Sequence, residues 1–460
     1  MDGSILFLGI MGCLSTLYIA LGWALSKDMK TKSDFFLGGR KLGVFPITAT
    51  LLATQIGGGM FLGTAENPFK GLLYILGMVL GFIILGFGLA EKYRSLHVDT
   101  LGGVLKKQYG HNALHTITDL LSIISIGGIL LGQAIAAQSV IHHFTGVEST
   151  YLFPVFWFLM VAYTLLGGFK AVVITDLIQV AIVITVFTGL FFYMLWKSQI
   201  PIFSIEGFGN VKTLFHDANL SVAEMVRFIT IPLLFSIITQ DVAHRFFAAK
   251  DKATASISAV YSGVILLLFA CVPFYFGLQA QLQNIPAEQG ISPLLPLLQN
   301  YTNTFFFMLA SCGLMSAIGS TIDSLLCAGS SIICNLTHEL FETKLKDEVR
   351  LSQIITLVFG TVVLCASYFV PTNIIDILVG SYEVSVACLI VPVLFALLRK
   401  KEFLSPPSAF LSIMFGFLGF FLTRLYQHPL FTPWSFLVTL LISLTGHLIG
   451  DLAYFQRKGA

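Results

Sequence analysis

Apolar residues in this chain come in long blocks, separated by short polar stretches. About 20 mostly apolar residues are enough for a helix to cross the hydrocarbon core of a bilayer. Blocks of that length recur from end to end, at about 4–25, 44–66, 71–94, 116–143, 149–167, 171–196, 222–247, 253–278, 302–336, 351–371, 373–398, 407–425 and 432–454. The pattern predicts an all-α integral membrane protein with about thirteen transmembrane helices. Composition agrees: 56% of the 460 residues are hydrophobic and 11% charged, against about 25% charged in a soluble domain. Lipid solvates such an exterior; water does not.

The basic residues give this count a test. Thirteen crossings put 21 of the 26 Lys and Arg on one side, in loops such as Lys27–Lys41, Lys92–Lys107, Arg245–Lys252, Lys344–Arg350 and Arg399–Lys401. The other side holds Lys70, Lys197, Lys212, Arg227 and Arg424. The positive-inside rule then expects a multi-pass plasma (inner) membrane protein with the C-terminus in the cytoplasm and the N-terminus outside. The first run lacks the positive flank of a cleaved signal and is expected to be retained. The seven Cys lie in or beside apolar runs without metal-ligand spacing and read as core residues.

Two runs are interrupted. The second carries Gln55-Ile56-Gly57-Gly58-Gly59-Met60. Each Gly costs about 1 kcal/mol relative to Ala inside a helix, so a triplet in mid-membrane points to unwound backbone. Such backbone is tolerated only where it lines a cavity or is buried in protein. The seventh run carries Pro232, which marks either a kink or a break. Interruptions five helices apart point to a transporter built from inverted repeats. The expected division is an extra helix and loop at 1–43, a core at 44–398 with repeats 44–196 and 222–398, and two further helices at 399–460.

Candidate chemistry is concentrated in the ninth run. Ser316, Ser320, Thr321, Ser324, Ser330 and Ser331 fall within about four turns, with Asp323 among them. Hydroxyls in membrane helices usually bond back to the preceding turn. Ser320, Thr321 and Ser324, however, share a face and could offer oxygens to a hard cation, together with carbonyls freed after Ala53. Asp323 reads as an ion- or proton-linked carboxylate. Asp176, at the start of the sixth run, reads about as well as a helix-end carboxylate. The stretch Gln240–Asp251 reads as a basic, amphipathic exit that reports topology. Nucleotide loops, HExxH and catalytic-triad spacings are absent from the sequence, so an enzyme is not expected.

Five segments together resemble the sodium/solute symporter family, which holds the proline, pantothenate, galactose and choline-type carriers. They are Asp34–Arg40, Gly63–Glu66, Gly167–Gln179, Arg245–Asp251 and Ser320–Ser324. The resemblance implies a leucine-transporter-type core of two inverted five-helix repeats. It implies a sodium site from carbonyls of Ala53, Ile56 and Ala317 with hydroxyls of Ser320 and Thr321. It also implies a second ion or a proton at Asp176, Asp323 and Ser324, where Asp323 replaces a family hydroxyl. The solute is expected beside Gln55, Gly57, Gly58, Gly59 and Met60. Choline-type relatives carry Trp where this chain has Gln55, and proline carriers carry Asp. A neutral amide suits an amide, carboxylate or hydroxylated solute better than a bare cation. The expected function is sodium-coupled import of a small polar organic solute, with sodium as coupling ion, no organic cofactor, no nucleic acid and no obligate protein partner. The alternatives are a proton-coupled carrier of the same fold and a transporter-like solute sensor.

Overall fold

In hydrocarbon, a chain that leaves its peptide groups unpaired loses several kcal/mol per group, so apolar runs fold as helices. A computed structural model describes residues 3–26, 32–145, 149–197, 205–285, 292–341, 348–370, 374–425 and 434–459. Lys27, Lys30, Lys344 and Lys346 of the charge pattern lie outside these residues. Among the described residues the structure is helical, and its one β-bridge joins Leu42 to Ala249.

The principal helices in chain order are α1 (Gly3–Ser26), α2 (Val44–Gln55), α3 (Pro68–Ile84), α4 (Asn112–Thr145), α5 (Ser149–Lys197), α6 (Val222–Ile238), α7 (Gln240–Ala248), α8 (Lys252–Phe269), α9 (Thr304–Phe341), α10 (Glu348–Ser367), α11 (Ile374–Leu398), α12 (Pro406–Leu425) and α13 (Ser435–Gly459). Among the described residues ten helices are long and apolar enough to cross a membrane, or up to twelve if each of two bent pairs counts as one span. The sequence divides α5 in two at Gly167-Gly168. The structure agrees: Gly168, at φ 52° and ψ −158°, is non-helical, and the stretch Ser149–Lys197, labelled α5 throughout, is two helices that meet there at a kink. That conformation suits only Gly, and it ends the first helix and re-aims the second.

α9 is the hub. In its most apolar window 83% of the residues are buried, against 28% for α1 and 33% for α10 and α12. It packs on α2, α4, α5 and α10, while α3 and α11 close on α6 and α12 pairs with α13. Small residues allow these approaches. A Cβ at Gly77 of α3 would lie 2.3 Å from the Ile229 carbonyl of α6, and one at Gly416 of α12 would lie 2.1 Å from the Ala387 carbonyl of α11.

Both interrupted runs are broken. α2 ends at Gln55, and helix resumes over Gly59–Glu66 at an angle of 49°. The seventh run breaks at Thr239 and not at Pro232. Pro232 lies inside α6, where its carbonyl accepts the Ser236 hydroxyl at 2.8 Å. Thr239 is extended (φ −76°, ψ 135°); its N–H closes α6 on the Phe235 carbonyl at 2.8 Å, and its own carbonyl opens α7 by accepting the Ala243 N–H at 3.0 Å.

Gly77→Val is expected to cost about 1–3 kcal/mol through overpacking against a backbone that cannot give way. It should lower the melting temperature of the purified protein. Gly9→Ala, where nothing lies within 4 Å of the new Cβ, should leave it unchanged or slightly raised.

Candidate ion and solute sites

The break in α2 meets α9 side-on. The Ser320 hydroxyl lies 2.9 Å from the Ala53 carbonyl and 2.9 Å from the Ala317 carbonyl. The Thr321 hydroxyl lies 3.2 Å from the Thr54 carbonyl and 3.2 Å from the Ala317 carbonyl. Ile56, at φ −84° and ψ 67°, has left the helix, although its N–H still bonds the Leu52 carbonyl at 2.8 Å. The glycines make this contact possible. A Cβ at Gly57 would lie 2.5 Å from the Thr321 hydroxyl, one at Gly58 2.6 Å from the Ala136 methyl, and one at Gly59 2.3 Å from Leu378. The Gly58 N–H, freed by the break, is taken by the side-chain carbonyl of Gln133 at 2.9 Å. The triplet is therefore both unwound backbone and a packing surface. Ala53, Ala317, Ser320 and Thr321 bring carbonyl and hydroxyl oxygens to one buried place beside Ile56, a donor set suited to a hard monovalent cation.

One turn along, the hydroxyls give way to charge. Asp176 of α5 is fully buried, accepts the Thr50 hydroxyl, and lies 3.8 Å from the Arg245 guanidinium of α7. Arg245, also fully buried, donates to the Thr50 carbonyl (3.2 Å), the Ser324 hydroxyl (2.6 Å) and the Asp241 carbonyl (2.6 Å). Asp176 is thus no exposed helix-end carboxylate. Arg245 is no surface loop charge either; α7 turns it inward because a guanidinium buried here has carbonyl, hydroxyl and carboxylate partners. Asp323 accepts the Tyr163 hydroxyl and, at 3.5 Å, the Thr175 hydroxyl. One oxygen of each of Asp176 and Asp323 has no hydrogen-bond partner.

Beside the break lies a cavity of about 30 Å³. Gln55, Gly57, Gly59 and Met60 line it from the second run, and Phe235, Ser236, Thr239 and Asp241 from α6 and α7. Tyr74 of α3, Gln133 of α4, Thr321 of α9 and Tyr382 of α11 add polar groups to a wall otherwise filled in mainly by apolar side chains such as Met78, Ile129 and Leu378. Gly58 backs the wall without lining it. The Tyr74 and Tyr382 hydroxyls share a hydrogen bond of 2.8 Å, and Phe235 stacks on Tyr382 with centroids 4.0 Å apart. This volume holds about two waters, so the cavity is closed around its polar groups.

A model of the sodium:solute symporter family matches residues 35–416. The chain belongs to that family. Its fold is similar to a Na+-coupled sialic acid symporter in a substrate-bound outward-open state, at 16% identity and TM-score 0.80 over 97% of each chain. It is similar also to a nucleobase-cation-symport-1 family transporter in a closed conformation with bromovinylhydantoin bound, at 12% identity and TM-score 0.62 over 92% of this chain and 96% of that one. A third likeness is to MhsT in complex with L-phenylalanine, at 12% identity and TM-score 0.57 over 90% of this chain and 98% of that one. The protein is a multi-pass membrane transporter of the leucine-transporter type and a sodium-coupled symporter.

In this symporter polar contacts cross the end carrying the basic loops. Arg40 pairs with Asp99 and donates to the Val98 and Phe247 carbonyls at 3.2 and 3.3 Å. Arg94 donates to the Ala249 carbonyl at 2.5 Å. Gln240 accepts from the Leu101 N–H at 2.7 Å and donates to the Asp99 carbonyl at 3.0 Å. Beside them Lys106 bridges to Glu339 at 3.1 Å, and His115 contacts Asp119 and Glu339. Sequence reasoning missed Arg245, Asp241, Gln133, Tyr74 and Tyr382. A polar residue within an otherwise apolar run was the available signal for Gln133, and Asp241 and Arg245, four apart on one face of the segment taken for a loop, carried another.

Arg245→Met leaves Asp176 buried without its cation and is expected to destabilise the protein by about 3–5 kcal/mol. Asp176→Asn in the same chain should recover a substantial part of that loss. Melting temperatures of the two singles and the double would show the non-additivity; additive losses would mean the two groups do not interact.

Proposed function

We propose that this symporter imports a small polar organic solute by alternating access, with sodium held by the Ala53, Ile56 and Ala317 carbonyls and the Ser320 and Thr321 hydroxyls. The observation that carries this reading is the convergence of Ser320 and Thr321 on carbonyls at a helix break. Hydroxyls that now bridge carbonyls can rotate their protons away and turn oxygen toward a cation. Sodium would cross-link α2 to α9 and hold the break in one geometry. Solute would bind beside Gln55, Gly57, Gly59 and Met60, with Gly58 positioning Gln133. Release would follow when the contacts of Arg40, Arg94 and Gln240 part at the basic end.

In this account residues 44–196 and 222–398 form the two inverted repeats and rock against each other. The two breaks, at Ile56–Gly58 and at Thr239, support that division. The distribution of Lys and Arg supports a plasma (inner) membrane protein with its N-terminus outside and C-terminus in the cytoplasm. One charge crossing 100 mV contributes about 2.3 kcal/mol, and a tenfold sodium gradient adds about 1.4 kcal/mol. One sodium per cycle therefore supports accumulation of several hundredfold at most.

A second reading adds a cation or proton at Asp176, Asp323 and Ser324. It is favoured by the partnerless oxygen of Asp323, since Arg245 already faces Asp176 and Ser324. In that reading Asp323 takes up its ion or proton beside Tyr163.

Sodium should raise the melting temperature of the detergent-purified protein relative to potassium at equal ionic strength. Ser320→Ala/Thr321→Ala should abolish the rise. A rise that survives the double substitution places sodium elsewhere. The same measurement across pH with Asp323→Asn separates the second reading, which expects the wild type alone to respond.

A further inference from the structure

Among the described residues, one group lining the central cavity can carry charge at neutral pH, and it is acidic. Asp241, on the first turn of α7, lines the cavity and is 3% exposed. Its carboxylate accepts one hydrogen bond, from the Thr239 hydroxyl two residues before it. Among the described residues it takes part in no ion pair. Arg245 is four residues further along the same helix; its guanidinium reaches the Asp241 backbone carbonyl at 2.6 Å and is otherwise turned to Thr50, Ser324 and the Asp176 carboxylate. Lys, Arg and His are absent from the cavity wall.

A carboxylate withdrawn from water without a cation is costly, and such groups in proteins are paired or coordinate an ion. Here the protein supplies the Thr239 hydroxyl and the first turn of α7 but no cation, so the cation arrives with the ligand. The neighbours indicate which kind. Gln55 and Gln133 offer amide donors and acceptors, Tyr74 and Tyr382 offer hydroxyls, and Phe235 offers an aromatic wall. Aromatic faces and a carboxylate together suit an organic cation. A solute of net negative charge would meet Asp241 with nothing to offset it. We propose that the solute carried by this symporter bears a protonated amine, that Asp241 pairs with it, and that the solute is cationic or zwitterionic and never a net anion.

The assignment rests on the cavity being the solute site of a sodium-coupled carrier, and it revises the preference that Gln55 alone suggested. The neutral amide at 55 argues against a cation only while Asp241 is taken for part of an exposed loop.

The test uses the full-length protein in detergent and matched solutes that differ in the amine. L-proline is set against tetrahydrofuran-2-carboxylate, L-alanine against L-lactate, and ethanolamine against ethylene glycol. Choline serves as a quaternary cation that has no N–H to donate. Melting temperature is measured with each solute in sodium and in potassium, for wild type, Asp241→Asn and Asp241→Glu. The expected result is sodium-dependent stabilisation by at least one amine and none by its amine-free partner. Asp241→Asn, which keeps the acceptor for Thr239, should weaken the amine by about 30-fold or more. It should retain the rise caused by sodium alone, and Asp241→Glu should keep part of the amine response. Equal binding of amine-free partners overturns the proposal, as does undiminished amine binding to Asp241→Asn. So does a wild type that responds to sodium and to no amine. Loss of the sodium-only rise in Asp241→Asn would make Asp241 an ion ligand and overturn it equally. A wild type with no sodium response contradicts the sodium site instead, and the amine comparison is then decided in potassium.

Discussion

Inside a bilayer each peptide N–H and C=O must find its partner within the protein, so a helix broken at mid-membrane creates a debt that other residues have to meet. This symporter breaks α2 at Ile56–Gly58, and much of its interior serves that break. Gln133 takes the Gly58 N–H, while Ser320 and Thr321 take the Ala53, Thr54 and Ala317 carbonyls. Three residues without side chains let α4, α9 and α11 come close enough to do so. The same carbonyls that must be satisfied when the site is empty are the ones proposed to receive sodium. Structural satisfaction and ion binding thus compete for one set of oxygens, which gives the ion leverage over the position of α2.

The second break, at Thr239, has a different chemistry. α7 brings two charges inward on one face, Asp241 toward the cavity and Arg245 toward Asp176. Arg245 ties α7 to α2 and α5 through Thr50 and Asp176, and to α9 through Ser324. The proposed second-ion region and the proposed solute cavity therefore share a helix of nine residues. A solute that pulls on Asp241 acts on the element that carries Arg245. This offers a physical route by which solute and ion could sense each other, without a contact between them.

Much of this was legible in the sequence. Long apolar blocks defined the helices, since lipid imposes one rule on every span. The glycine triplet located the first break because no ordinary helix benefits from three successive glycines. The hydroxyl face of the ninth run located the residues that meet it. The second break was misplaced because Pro232 is the stronger local signal, yet α6 continues through it to Ile238. Thr239 carries no such signature: its extended conformation is set by the packing of α7. Arg245 and Asp241 were read as loop charges because charge beside an apolar run normally marks its end. Their four-residue spacing was compatible with a helix face, but it does not say whether that face meets water or the protein interior. Gln133 and the two tyrosines come from helices far apart in sequence, and only the fold brings them to one wall.

The central claim is that sodium sits where α2 breaks against α9. Equilibrium binding of radioactive 22Na+ to the purified protein tests it most directly. The account predicts saturable binding in wild type, displaced by unlabelled sodium and not by potassium, and weakened at least tenfold by Ser320→Ala while Gly9→Ala has no effect. Binding of equal affinity in Ser320→Ala would contradict it, and so would the absence of saturable binding in a well-folded wild type.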